Sequence, residues 1–381
     1  MQTLQLTEDG MKRLVYADNA ATTRLSDKAY ERMLPFLMNE YGNASQLYSF
    51  ARSPKKVLKQ ARETIAGCIG ALPEEIFFTS CGTESDNWVI DGAARQKMPI
   101  VTSSIEHHAV LRPCRQAEED GGSVAYLPVS SEGFVSIGEA ELSMRASHGL
   151  LSVMFANNEI GTIQPVEELA EAAHKRGWLF HTDAVQAVGH TPIDVHQMEI
   201  DMLSASAHKF NGPKGIGFLY LRKGLEWPSL ILGGAQELGR RAGTENVASV
   251  VGMATALEEN VSLMDENVEH LYFLERRLIE GLNEAGVDYV RNGSDNHIAG
   301  NVSLSFPGYG GETLMHRLDL KGICVSTGSA CDSKETQVSH VLKAIGLDES
   351  LAKGTIRISL GKYNTEEDVD CIINSIGSIV L

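Results

Sequence analysis

Ser204-Ala205-Ser206-Ala207-His208-Lys209-Phe210-Asn211-Gly212-Pro213-Lys214-Gly215 is the stretch that decides the fold. A short apolar run, 202–205, passes into small and hydroxylic residues, then His-Lys, then a turn rich in Gly. Short strands that are apolar throughout belong to sheets covered on both faces, which are mostly parallel. Runs 75–79, 100–103, 149–155, 178–182 and 216–221 repeat the pattern. Between them, segments 54–69, 85–95 and 166–176 carry apolar residues at helical spacing. The alternation predicts an α/β fold with a mostly parallel sheet flanked by helices.

In open α/β sheets, ligands gather where strands end. Lys209 at such an end reads either as a loop lysine facing solvent or, if shielded from water, as an amine able to form a Schiff base. Asp183 ends the run 178–182; it suits a helix cap, or a partner for a protonated pyridine nitrogen, with Gln186 three residues on to reach a ring oxygen. Phe78-Thr79-Ser80-Cys81-Gly82-Thr83-Glu84-Ser85 is a strand, a Gly-containing turn and a helix start, where free amides favour a phosphate. Plain capping by Thr83, with Asp86 three residues on, is compatible with that reading. His107 follows another strand and can stack on a flat ring or move protons, or serve structure alone. Asn157-Asn158-Glu159-Ile160-Gly161 offers consecutive amides to a polar ligand, or a tight turn. Each group has a structural explanation alone; together, five strand ends suit one phosphorylated aromatic cofactor.

Cysteines stand at 68, 81, 114, 324, 331 and 371, with no C-x-x-C pair to suggest zinc or a thioredoxin-like site. Cys68, Cys324 and Cys371 lie in apolar segments and read as core. Cys81 adjoins the presumed phosphate turn. Cys331 lies in Ser326-Thr327-Gly328-Ser329-Ala330-Cys331-Asp332-Ser333-Lys334, small and polar, a setting for a reactive thiol. Arg357 alternates with apolar residues in Gly354-Thr355-Ile356-Arg357-Ile358; it suits a substrate carboxylate or a salt bridge at the sheet surface.

Of the 381 residues, 43% are hydrophobic and 22% charged, ordinary for a globular enzyme, and no apolar run approaches the ~20 residues that span a bilayer. The net charge of −17 argues against a nucleic-acid surface. Residues 1–13 carry no export pattern and read as a short lead-in, so a cytoplasmic location with reduced thiols is expected. From about Thr244 to Ala285 the spacing predicts a long helical region, followed by strands at 300–306, 322–326 and 355–360 and helices at 312–320 and 365–376. Residues 14–258 are therefore expected as a large domain, and 259–381 as a smaller α+β domain with 1–13 packing on it.

Five segments together carry a family resemblance: His208-Lys209 with its flanks, Asp183-Ala184-Val185-Gln186, Asn157-Asn158-Glu159-Ile160-Gly161, Arg241-Ala242-Gly243-Thr244 and Gly328-Ser329-Ala330-Cys331. The chain resembles the cysteine desulfurases of the NifS/IscS kind, within the fold-type I, class V aminotransferase-like enzymes dependent on pyridoxal 5'-phosphate (PLP). The likeness runs from Tyr16 to Gly361. It implies removal of sulfur from L-cysteine to give L-alanine and a persulfide on Cys331. Lys209 would hold the cofactor and shuttle the α-proton. Asp183 would meet the pyridine nitrogen, Gln186 the phenolic oxygen, and His107 would stack on the ring. Gly82, Thr83, Ser206 and His208 would hold the phosphate, joined by Thr244 from the neighbouring subunit of a homodimer. Asn158 would touch the ring oxygen or the substrate, and Arg357 the substrate carboxylate, with Asn19 nearby. A protein sulfur acceptor or iron–sulfur scaffold would take the sulfur on, for cluster assembly or tRNA thiolation; no metal, membrane or direct nucleic-acid contact is implied.

Three features depart from the family pattern. Gly42-Asn43-Ala44-Ser45 is followed by Tyr48 where Gly-Asn-Pro-Ser and a His are usual, and Thr336-Gln337-Val338-Ser339 replaces Leu-Glu-Pro-Ser. The C-terminus is expected to lack the scaffold-docking tail of some members. An aminotransferase or selenocysteine lyase on the same fold is the alternative, and a non-catalytic partner protein a third; Cys331 separates the desulfurase from an aminotransferase, and Lys209, Asp183 and His107 argue against the third.

Overall fold

A computed structural model describes residues 4–7, 10–327 and 338–381. A hairpin, β1 (Leu4–Thr7) with β2 (Gly10–Arg13), stands where the sequence predicts only a lead-in. β3 (Val15–Tyr16), α1 (Asp27–Met38) and α2 (Arg52–Cys68) follow. Strands and helices then alternate: β4 (Ile76–Thr79), α3 (Gly82–Arg95), β5 (Ile100–Ser103), α4 (His108–Glu119), β6 (Val124–Leu127), α5 (Ile137–Ser143) and β7 (Leu150–Ser152). The series ends with α6 (Val166–Lys175), β8 (Leu179–Asp183), β9 (Met202–Ser206) and β10 (Gly217–Leu221).

The strands from β4 to β10 form one 7-stranded sheet in the order β4-β10-β9-β8-β7-β5-β6. β10 runs antiparallel to both neighbours, and every other pairing is parallel. The C-terminal ends of β4, β5, β7, β8 and β9 therefore meet along one edge, where the fold class puts ligands. Side chains alternate between faces. Ile76, Phe78, Val101, Leu151, Phe180 and Leu203 join one cluster with Leu58 and Ile65 of α2 and Leu169 of α6. Phe77, Ile100, Leu150, Met202 and Leu219 pack against Trp88 and Val89 of α3 and Val110 and Cys114 of α4. Cover on both faces is why these strands read as apolar throughout.

The expected single helical region is two helices, α7 (Val247–Ser262) and α8 (Met264–Glu284), with Leu263 between them. The break has a packing reason. Val250, Met253 and Leu257 of α7 belong to the cluster under the large sheet, whereas Leu271, Leu274 and Leu278 of α8 belong to a second cluster, and one straight helix does not serve both. β11 (Val290–Asn292), β12 (Asn301–Ser305), α9 (Gly311–Asp319), β13 (Ile323–Cys324), α10 (His340–Ala344), α11 (Glu349–Ala352), β14 (Thr355–Ser359) and α12 (Glu366–Val380) complete the chain. β11, β12 and β14 make a small antiparallel sheet over Ile372 and Ile376 of α12. The strand expected at 322–326 shortens to β13, parallel to β3, with a separate bridge from Ser326 to Arg357. Val15 and Ala17 sit in this second cluster, so the chain crosses from it to the large sheet right after β3. Among the described residues no helix is long and apolar enough to cross a membrane.

Candidate active site

The turn after β4 is shaped by close approach. A Cβ on Gly82 would lie 2.4 Å from Cγ2 of Val185, so only glycine fits. Cys81, not Thr83, is the residue that caps α3, and it does so without a side-chain bond. The Ser80 amide and hydroxyl instead donate to the Glu84 carboxylate, which also takes Nε of Arg241 at 2.9 Å. Ser85 is the first amide to reach back into the helix, to the Cys81 carbonyl at 3.2 Å, so those of Gly82 and Thr83 precede the ladder.

Ser206, at the end of β9, is buried, and its hydroxyl has no partner among the described residues. The tight turn Ala207–Lys209 follows. His208 lies 3.1 Å from the Thr22 hydroxyl through Nδ1, and burial, then the Lys209 charge, push its ring down to about 4. Lys209 Nζ donates to the carbonyls of Ala20 at 2.5 Å and Ala21 at 2.9 Å. Gln186 Nε2 donates to the same Ala20 carbonyl at 3.0 Å, so a strand-end amide and a strand-end amine meet on one acceptor.

Asp183 is buried at the end of β8. Burial pushes its carboxyl up, against the Val185 N–H at 3.0 Å and the charge of Lys209. His107 precedes α4, and its Nδ1 accepts the Ala109 N–H at 3.1 Å. Burial first, then Lys209, His108 and Arg112, push His107 down to about 4, so at neutral pH it is an uncharged ring with its proton on Nε2. Asn157 is wholly structural: its amide donates to Ile105 at 3.0 Å, and its Oδ1 takes the Glu159 and Ile160 amides. That leaves Asn158 at the surface of the turn, where its backbone carbonyl takes Arg357 Nη1 at 2.9 Å.

Arg357 is buried in β14 rather than at a sheet surface, and its Nη2 pairs with Asp18 at 2.7 Å. Its Nε has no partner among the described residues. Asn19 donates to the Ser359 carbonyl at 2.9 Å. Asn19, Gln186, Lys209 and Ser359 line a cleft between the two clusters.

Lys209, Gln186, Asp183, His107, Ser206, His208 and Gly82 thus converge on one edge, with Arg357 and Asn158 joined beside it. Thr83 and Thr244 are exposed. Cys331 lies outside the described residues. Of the other thiols, burial pushes Cys68 up to about 11, Cys114 up to about 12, and Cys324 upward, which keeps all three protonated. The sequence reading does not single out Asp18, Glu84 or Glu106; Asp18 has a signal in the strand-like 14–18 run that it ends, the other two have none. An orphaned buried hydroxyl, a turn closed to any side chain, a buried carboxylate and a lysine amine form a donor set that fits a phosphorylated ring bearing a carbonyl.

Residues 15–372 match the family model Aminotransferase class-V. A curated relative from Dictyoglomus turgidum, named cysteine desulfurase IscS, is 46% identical over 375 residues, covering 97% of this chain and 95% of that protein. The solved structure of a NifS-like protein superposes with a TM-score of 0.91 at 41% identity, over 96% of this chain and 99% of that one. A structure described as SspA in complex with cysteine gives 0.83 at 36% identity, over 92% of this chain and 99% of that one.

Proposed function

The chain belongs to the class-V aminotransferase family, and on that premise we propose that it is a PLP-dependent cysteine desulfurase that passes the sulfur of L-cysteine to Cys331. When bound, PLP supplies a carbonyl that takes up an amine and a ring that accepts electron density from the carbon beside it. Lys209 is the amine that holds it and the base that moves the α-proton. Asp183 faces the ring nitrogen, Gln186 and Asn158 the ring oxygen, and the uncharged His107 ring stacks. Gly82, Thr83, Ser206 and His208 hold the phosphate with their amides and hydroxyls. Arg357 and Asn19 orient the substrate carboxylate. The Cys331 thiolate attacks the substrate sulfur; the C–S electron pair goes to Cβ, which takes a proton. Cys331–SH and L-cysteine thus become Cys331–SSH and L-alanine, with no outside oxidant.

The same reading takes residues 14–258 and 259–381 as the two domains, with 1–13 on the second. It places the protein in the cytoplasm as a homodimer, with Thr244 reaching the neighbouring phosphate and a protein acceptor or iron–sulfur scaffold receiving the sulfur. Leu47 (96% exposed) and Leu232 (86% exposed) are large apolar side chains that a second copy would cover.

The observation that carries the proposal is the meeting of Lys209 and Gln186 on the Ala20 carbonyl, with Asp183 at the end of β8 and His107 after β5 on the same sheet edge. The test is a visible spectrum of the purified protein before and after L-cysteine, with sulfide and alanine assayed together. A yellow protein that releases both in the presence of a thiol is expected. Pyruvate, or amino transfer, in their place would discard the sulfur chemistry and keep the PLP fold.

A further inference from the structure

The α3-facing side of the large sheet turns from apolar to polar toward the site. On β7, β8 and β9 the residues that follow Leu150, Leu179 and Met202 at every second position are Ser152, His181 with Asp183, and Ser204 with Ser206. Opposite them, one turn into α3 from the phosphate turn, stands Asp86. It is 1% exposed, and His181 is 0% exposed.

Two buried carboxyl groups therefore face one small space, and their surroundings differ. Asp183 receives the Val185 N–H at 3.0 Å and the field of Lys209. Asp86 Oδ1 has no hydrogen-bond partner among the described residues. Its nearest basic atom is Nε2 of His181 at 3.8 Å, on a ring already engaged by the Ser204 hydroxyl at 3.1 Å and, through Nδ1, the Ser152 hydroxyl at 2.8 Å. Burial pushes that ring down to about 3, so it brings no positive charge. Burial first, then Asp183, Glu106 beyond β5 and Cys81 of the turn disfavour the ionised form of Asp86, while the Ser204 hydroxyl favours it. A buried carboxylate with an oxygen that no donor reaches is far costlier than a neutral acid, and two like charges in one low-dielectric space are costlier still.

We propose that Asp86 is a positioning residue for Asp183: it stands as a neutral carboxylic acid against the His181–Ser204 pair and leaves the one negative charge of this buried cluster on Asp183. The inference rests on the reading of Asp183 as the partner of a ring nitrogen. Its role is to fill the space beneath Asp183 with a hydrogen-bonding group that carries no charge.

The test uses the full-length protein, with PLP and after its removal. Selective isotope labelling of aspartate carboxyl carbons is expected to give one resonance of a protonated acid at neutral pH, absent from Asp86→Asn and retained in Glu106→Gln. PLP binding across the pH range supplies the second readout. Asp86→Asn keeps a neutral hydrogen-bonding group, and its PLP affinity stays within about twofold of the parent with the same pH profile. Asp86→Leu keeps the volume and loses the polar group, and its affinity falls about tenfold. An ionised Asp86 resonance, or an acid limb that moves in Asp86→Asn, overturns the proposal, as does full affinity in Asp86→Leu. If Asp86→Leu does not fold, the parent resonance and the Asp86→Asn profile still decide. A protein that takes no PLP defeats the functional reading alone, because the carboxyl resonance is read without it.

Discussion

Asp18 and Arg357 close on each other at 2.7 Å, Oδ1 to Nη2, across a bridge that joins the start of the chain to its last strand. The other terminal nitrogen rests on the Asn158 carbonyl, and the guanidinium is fixed in plane by both. A planar fork held this way offers its remaining edge to a carboxylate, which an ammonium cannot imitate. Arg357→Lys is expected to raise KM for L-cysteine at least about tenfold with a smaller change in kcat. Steady-state kinetics check it, and an unaltered KM would put the carboxylate site elsewhere.

Lys209→Ala removes the amine that sits on the Ala20 and Ala21 carbonyls. The visible absorbance of the purified protein and its desulfuration should both vanish, while circular dichroism stays that of the parent. A parent-like absorbance in the variant would defeat the assignment of Lys209.

Cys331→Ala should retain PLP and lose sulfide release by roughly a hundredfold or more, because the buried thiols pushed upward are not thiolates at neutral pH. The paired readouts are the spectrum and a sulfide assay with L-cysteine. Sulfide release at the parental rate would move the reaction to direct elimination.

Glu106 links stability to pH. It is 0% exposed; burial pushes its carboxyl from 4.5 up to about 8, against the Ser103 hydroxyl and the Met154 amide. The folded form therefore keeps a proton that the unfolded form gives up between those values. Its stabilising contribution is complete below about pH 4.5, declines as pH rises toward 8, and is level above that. Glu106→Gln keeps the acceptor for Met154 and removes the titration. The melting-temperature gap between variant and parent should move in favour of the variant from pH 4.5 to 8; a gap that stays constant across that range would show Glu106 ionised in the fold.

Much of this architecture was legible because buried parallel strands leave an unbroken apolar signature. The runs around Ile100, Leu203 and Leu219 sit within a residue or two of their strands. The sequence reading does not pick out β6 although Val124–Leu127 is apolar; the strand lies at the sheet edge, where only Leu127 is buried. The break at Leu263 was hidden because both helices keep helical spacing, and only the change of packing partner separates them. In the site, residues at strand ends were visible through motif and spacing. Asp18, Glu84 and Glu106 act by hydrogen bonding to partners distant in sequence or on the backbone, a relation that only folding creates.

The reversed direction of β10 bears on how the site assembles. The pairing of Ser206 with Gly217 closes a loop of only the residues 207–216 between them, whereas each parallel neighbour waits for a longer connection to fold back, residues 184–201 in the case of β8 and β9. Closure entropy and contact order both favour the shortest loop. The segment bearing Lys209 thus belongs to the most local ribbon of the sheet, and β4 pairs with that ribbon through Thr79 and Gly217, next to its phosphate turn. The backbone that carries the lysine thus closes locally, while the Ala20 and Ala21 carbonyls that hold its amine come from a segment distant in sequence.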